Sequence, residues 1–339
     1  MKRFLEVLFT VSFLCSCNEM PIEEGFGAPI VINLGFESDV TVSSSQSTKA
    51  AADNGIYGIN VYFDNERDGK TDDIYAYGLF DNVSDMTITL LSGYKFRFAC
   101  TFAKNEGHSL YYGQYGENKY QGFAAPFQTN KATSTQLGNA FVYSNNTGEY
   151  LSGIGVGNAV ISTSSGTSIS SYPRIHRFYG ELDSYSPVVG GVATIPLKKT
   201  CFGLKLIING VPEGSLNAVV AADGTVLLNQ TVESSDYVSP SILRSYKNVY
   251  DCWKNESTIS GTVNWTYTSS RFSPWNLSGS SNITFKRNTL TTITVSVTPD
   301  SASPSISLTE EEWGDENVIN MGINTDGFID IIVNPETED

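Results

Sequence analysis

Apolar and polar residues alternate in short runs along most of the chain, and Gly, Asn, Ser and Pro separate the runs. The plainest are Ile56–Phe63, Ile74–Phe80, Met86–Leu91, Tyr94–Ala103, Val192–Leu197, Gly203–Ile208, Ser257–Tyr267 and Ile283–Val297. Successive side chains of an extended strand point to opposite faces, so each run predicts a strand with one face buried. Short strands at this spacing predict antiparallel sandwiches. No long segment carries the 3.6-residue period of an amphipathic helix. The one helical expectation is a short turn around Thr309–Trp313, where Thr309 precedes three glutamates in the manner of a capped first turn. Pro187 and Gly190-Gly191 break the alternation, which divides the chain into sandwiches over 50–186 and 187–339. The Gly/Ser/Asn-rich stretch 144–172 reads as a surface excursion of the first.

Composition agrees with the pattern. The 339 residues include 18 Tyr, 18 Phe and 4 Trp, and 40% are hydrophobic against 17% charged, enough apolar matter for sizeable cores. The net charge of −15 argues against nucleic-acid binding, which needs a basic patch to displace counterions. Of the five cysteines, Cys100, Cys201 and Cys252 lie in the body of the chain. Cys100 shares a period-2 face with Phe96, Phe98 and Phe102 and reads as a small buried hydrophobe. Cys201 and Cys252 are left either bonded or free.

The first residues change the picture of where the chain resides. Lys2 and Arg3 precede an apolar stretch from Phe4 to Leu14, shorter than the roughly 20 residues that span a bilayer, so it reads as an export signal covering residues 1–16. Leu14-Cys15-Ser16-Cys17 resembles the bacterial lipobox, which implies a lipid on Cys17 and attachment to a membrane through that anchor alone. The alternative is an ordinary signal peptide that contains two cysteines.

Signs of catalysis are sparse. The two histidines, His108 and His176, sit in no arrangement with a nucleophile, and there is no GxSxG elbow. Gly153-Ile154-Gly155-Val156-Gly157 has the glycines of a phosphate loop but neither the strand–helix context nor a following Lys, so it reads as a flexible turn. Asp64–Asp73 spaces its acids like a calcium loop, yet Tyr75 stands where the bidentate Glu belongs, and the expectation is a solvated hairpin loop. No metal, cofactor or enzymatic activity is expected. Trp265 alternates with Val263 and Tyr267 and reads as core, while Trp253 and Trp275 near turns are candidates for stacking on a sugar.

One apolar strand stands apart. Pro29–Phe36 is followed by the Ser/Thr-rich run Thr41–Thr48 and then Lys49-Ala50. A strand joined to its domain only by such a linker is held by non-covalent contacts, through Ile30, Val31, Ile32, Leu34 and Phe36. If a protease cuts between Lys49 and Ala50, residues 17–49 can leave. Each of about four buried side chains contributes roughly 1.5–3 kcal/mol, so the vacated groove would take up a replacement strand strongly. The candidate replacement is the apolar tail within 317–333, namely Val318, Ile319, Met321 and Ile323, then Phe328, Ile329 and Ile331. The competing expectation makes this tail an edge strand of its own domain.

Several patches together resemble the fimbrillin family, the subunits of lipoprotein-derived (type V) pili of anaerobic gut and oral bacteria. They are Cys17, Ser47-Thr48-Lys49-Ala50, Ile59-Asn60-Val61-Tyr62-Phe63-Asp64 and Leu91-Ser92-Gly93-Tyr94-Lys95-Phe96. Further along come Phe178-Tyr179-Gly180, Ile195-Pro196-Leu197-Lys198-Lys199 leading into Leu204–Ile208, and Phe285-Lys286-Arg287-Asn288. The resemblance implies two transthyretin-like antiparallel β-sandwiches in tandem. It also implies export as an outer-membrane lipoprotein, cleavage after Lys49, and assembly at the cell surface by β-strand exchange with other pilus subunits, with adhesion to a host or bacterial surface ligand. The rival expectation is a permanently lipidated surface protein that binds glycans.

Overall fold

The computed structural model describes residues 29–38, 55–64, 73–104, 122–132, 134–145, 147–163, 166–208, 211, 213–234, 237–268, 276–297, 304–312, 321–323 and 329–331. It is an all-β protein: among the described residues the regular elements are β-strands, apart from one short α-helix and a single 3-10 turn.

The first unit is built from β1 (Pro29–Ser38), β2 (Gly55–Phe63), β3 (Ile74–Phe80), β4 (Thr87–Leu91), β5 (Phe96–Lys104) and β6 (Ala140–Tyr143). β7 (Ala159–Thr163) and β8 (Gly166–Ser170) form a separate hairpin, and β9 (His176–Tyr185) and β10 (Val192–Lys199) complete the unit. The hydrogen-bonded order is β4-β1-β10-β9-β5-β2-β3-β6, but β10 joins β9 only at Lys198↔Tyr179 and Lys199↔Phe178. The sheet therefore folds over there, and β4-β1-β10 covers one face of β9-β5-β2-β3. One buried cluster lies between them, with Ile32, Leu34, Ile88, Leu90, Ala193 and Ile195 from the small layer and Ile59, Phe80, Phe96, Phe98 and Phe102 among those from the large one. Aromatic and β-branched residues at alternate positions suit this pleated, half-buried surface. The other face of the large layer carries a second cluster. There Ile56, Tyr77, Leu79 and Ala99 pack against Phe127, Leu151, Ile154 and Ala159. The stretch expected to be a surface excursion thus supplies core residues, because a two-sided central sheet needs a cover on both faces.

The second unit comprises β11 (Cys201–Ile208), β12 (Ser215–Ala222), β13 (Thr225–Glu233), β14 (Ser241–Ser245) and α1 (Val249–Asn255). β15 (Ile259–Thr268), β16 (Asn276–Phe285), β17 (Thr289–Val297) and β18 (Pro304–Glu312) follow. Sheets β14-β11-β17-β18 and β13-β12-β15-β16 enclose a cluster that includes Phe202, Leu204, Leu206, Val220, Val263, Phe285 and Ile293. The alternating run Ile283–Val297 is two strands, broken at Lys286–Asn288, where Asn288 takes a left-handed φ of 51° and the chain passes from one sheet to the other.

Three expectations are corrected. Val192–Leu197 belongs to the first unit, since it pairs with β1 and its apolar side chains enter the first core. The sheets are not wholly antiparallel: β1 runs parallel to β10, and β11 runs parallel to β17. Thr309–Glu312 is extended, because pairing of β18 with β17 along Thr292↔Thr309 to Thr289↔Glu312 outweighs the local capping signal. Glu310 and Glu311 lie on this edge strand, where exposed charge discourages further pairing. The helix instead occupies Val249–Asn255, with the Asn248 side chain accepting from the backbone N–H of Asp251 as its N-cap.

Candidate functional site

β1 lies inside a sheet although the preceding and following residues are its only covalent links. Its first half pairs antiparallel with β4, from Pro29↔Leu91 to Asn33↔Thr87, and its second half pairs parallel with β10, from Asn33↔Val192 to Ser38↔Leu197. Residues 39–54, which connect it to β2, are outside the described residues. Taking β1 away would leave two open strand edges, β4 and β10, with a hydrophobic floor between them.

Alternation decides which side chains hold the strand. Ile32 and Leu34 are 1% and 4% exposed, and Ile30 and Phe36 pack half-buried against the same cluster. Val31 is 58% exposed and faces outward, so it is no part of the anchoring set. The expected group of about four anchoring side chains is therefore Ile30, Ile32, Leu34 and Phe36. Phe36 stacks on Tyr57 at 4.9 Å between ring centroids, and Tyr57 meets Phe102 at 4.3 Å, which extends the strand's contact down to β5. At the outer face Thr87 Oγ1 donates to Asn33 Oδ1 at 3.1 Å. A Cβ on Gly35 would approach Val192 Cγ1 to 3.2 Å, so the narrow face beside β10 favours glycine there.

The β4 wall is held independently of β1. Tyr75 Oη donates to the Thr89 carbonyl at 2.7 Å, and the Thr89 N–H donates to Tyr143 Oη at 3.1 Å, tying β4 to β3 and β6. Burial raises the Tyr75 phenol pKa well above its ordinary value, so it stays a donor throughout the accessible pH range.

Other expected site residues divide into three groups. Cys17, Lys49, Ala50, Val318, Ile319 and Phe328 lie outside the described residues. Met321 and Ile323 fall in β19 (Met321–Ile323), and Ile329 and Ile331 in β20 (Ile329–Ile331). Among the described residues these two short strands pair with each other alone, Met321↔Ile331 to Ile323↔Ile329, as a separate two-stranded sheet. The tail is thus no edge strand of either sandwich over those residues. Trp275 and His108 are also outside the described residues, and no metal-binding group of three or more His, Cys, Asp or Glu occurs among the described ones. Trp253 has Tyr179 against it at 5.6 Å and the Lys254 ammonium 5.5 Å from its ring centre, so much of its surface is already occupied.

Sequence reasoning missed the burial of a cation on β9. Arg177 on β9 is wholly buried; its Nε donates to Thr101 Oγ1 and its Nη2 to the carbonyls of Gly153, Ile154 and Val156. Burial pushes its pKa down to about 10. The Gly153–Gly157 turn therefore presents carbonyl oxygens to a cation, the reverse of the N–H groups that cradle a phosphate. The same turn touches the second unit through Gly157 N–H to Lys247 O at 2.9 Å, and a Cβ on Gly157 would overlap the Tyr246 carbonyl. Next to it, burial together with Lys199 and Lys104 pushes His176 down to about 4, so it is neutral near pH 7. Cys100, Cys201 and Cys252 are buried, and none of them is in a disulfide.

No family model and no curated protein matches the chain. Among solved structures it is similar to the fimbrial anchor protein Mfa2 from Porphyromonas gingivalis, at 8% identity over 84% of this chain and 98% of that one, with a TM-score of 0.34. It is also similar to a fimbrial protein from Bacteroides vulgatus (10% identity, 83% and 99% coverage, TM-score 0.30). A third is the tip fimbrial protein Mfa3 from Porphyromonas gingivalis (10% identity, 84% and 99% coverage, TM-score 0.31). Likenesses at this level carry no argument about function, which rests on the strands themselves.

Proposed function

We propose that this protein is a structural subunit of a cell-surface pilus or pilus-like adhesin, assembled when β1 is released and its slot is filled by a strand from another subunit. The observation that carries the reading is the position of β1. It is an interior strand with Ile32 and Leu34 in the core, yet its link to the rest of the fold is a Ser/Thr-rich connection ending in Lys49. In an interior slot an incoming strand gains hydrogen bonds along two edges as well as a buried apolar face, which is the physical basis of β-strand addition. On this reading Cys17 carries the lipid during export, Lys49-Ala50 is cut at the outer surface, and the partners are further pilus subunits. This reading assigns no residue a catalytic role.

The test is chemical. Protein recovered from cells should begin at Ala50, and Lys49→Ala should abolish polymer ladders on gels. A Lys49→Ala chain that polymerises normally would remove cleavage there as the trigger. A monomer still acylated at Cys17, with glycan affinity lost in a Trp253→Ala variant, would replace the reading with a permanently anchored glycan-binding protein.

A further inference from the structure

Acids outnumber bases in this chain, 36 to 21, so a cation rarely lacks a carboxylate to meet. Other described arginines find an acceptor. Arg97 lies 3.5 Å from Glu181, Arg287 lies 3.2 Å from Glu256, and Arg177 is held by Thr101 and backbone carbonyls. Arg174 is different. It is half-buried, and it makes no hydrogen bond or ion pair with the described residues.

The fold places a second guanidinium beside it. Residues 171–175 cross the open side of the second unit, between its edge strands β14 and β13. The Ser245 N–H donates to the Pro173 carbonyl at 2.9 Å, and the Tyr172 hydroxyl donates to Asp223 at 2.8 Å, which pins the segment at both edges. Arg244 on β14 spans the same gap. Its Nη1 donates to the Tyr172 carbonyl at 3.1 Å and its Nη2 to the Leu227 carbonyl on β13. Both acceptors are neutral, and Arg244 Nε is buried without a hydrogen-bond partner. Burial, and then the charge of Arg174, push Arg244 down to about 9; burial lowers Arg174 as well. Two adjacent like charges, partly desolvated and with no acid against them, are costly for the fold to keep.

We infer that Arg174 and Arg244 form a binding site for an oxyanion, a carboxylate, sulfate or phosphate group seated against the two guanidiniums. This goes beyond the assembly reading and does not depend on it. Arg174 supplies a planar fork whose donors are unused among the described residues, and such a fork matches two oxygens of one group. Arg244, fixed by two carbonyls, supplies a second charge that needs no rearrangement. A neutral ligand would leave the repulsion in place and a cation would add to it, so charge sets the class. A purely structural role explains Arg244, which ties β13 to Tyr172, but leaves Arg174 holding nothing.

The test is titration of the full exported chain with sodium sulfate, sodium glucuronate and glucose at one ionic strength set by chloride. Sulfate and glucuronate should each bind and raise the melting temperature, and glucose should do neither. Arg174→Ala should weaken both by at least about tenfold. Arg174→Lys, which keeps the charge without the fork, should lose less. Arg174→Gln keeps most of the stem and loses the charge, so it should match Arg174→Ala and separate charge from packing. Glucuronate binding the more tightly would identify an acidic sugar as the source of the anion, and sulfate binding as tightly or more so would identify a free inorganic ion. If neither anion binds, the inference falls. If Arg174→Ala or Arg174→Gln keeps the affinity of the unaltered chain, the bound sulfate is an adventitious ion only, and the inference falls as well.

Discussion

β1 and β11 occupy the same place in their respective sheets. Each has an antiparallel neighbour on one side, β4 or β14, and a parallel neighbour on the other, β10 or β17. They differ in attachment and in depth. β11 follows β10 with only Thr200 between, and Phe202, Leu204, Leu206 and Ile208 are all fully buried. β1 stands 16 residues before β2, with two fully buried and two half-buried apolar side chains. At roughly 1.5–3 kcal/mol for each fully buried side chain, β11 is the more strongly held strand even before its connection is counted. On the proposed reading the same sheet position holds a permanent strand in one unit and a removable one in the other, and what separates them is the length of the connection and the number of inward side chains.

The largest expected effect lies in the permanent strand. Leu204→Ala should lower the stability of the second unit by about 2–5 kcal/mol in urea unfolding, since it opens a cavity in a fully enclosed core. A loss below about 1 kcal/mol would break the claim that β11 is the better-held of the two. Acid gives an effect of intermediate size, on the side of the fold where β9 and β10 meet. The folded pKa of His176 is about 4, below its ordinary 6.5, so its contribution is fully present above about pH 6.5 and is lost as the pH falls towards 4. Stability measured against pH should drop over that window, and His176→Gln should flatten the drop. The stack at the end of β1 is smaller: Phe36→Leu should cost about 0.5–1.5 kcal/mol and should show first as faster amide exchange in β1, leaving β11 unaffected. Smallest is the outward face of β1. Val31→Thr should change stability by no more than about 0.5 kcal/mol, and a larger loss would mean that this face is covered.

Much of β1 was legible in the sequence. The alternation through Pro29–Phe36 marks Ile30, Ile32, Leu34 and Phe36 as one face, and that face meets the core. The same rule, applied strictly, would have excluded Val31 from the anchoring residues. The walls of the slot were not legible, because Ala193 and Ile195 lie some 160 residues along the chain from Ile32 and nothing local shows that β10 runs parallel to β1. Arg177 was equally hidden. A cation enclosed by the carbonyls of Gly153, Ile154 and Val156 looks, in one dimension, like any arginine next to a histidine. At Thr309–Glu312 the local signal pointed the wrong way, since a capping pattern contributes only about 1 kcal/mol while β17 supplies a full ladder of hydrogen bonds.

By itself the sequence determined that the chain is all-β, which positions along most strands face inward, and that one early apolar strand is set apart by a polar connection ending in Lys49. Those properties come from side-chain type and two-residue alternation, which each segment carries wherever it is placed. The tertiary structure alone decided that β10 serves the first unit, that β1 lies between two strands and not at an edge, and that Tyr57, Thr87 and Val192 set what fits beside it. Pairing is decided by hydrogen bonds and apolar area summed over segments far apart in the chain, and no single segment contains that sum.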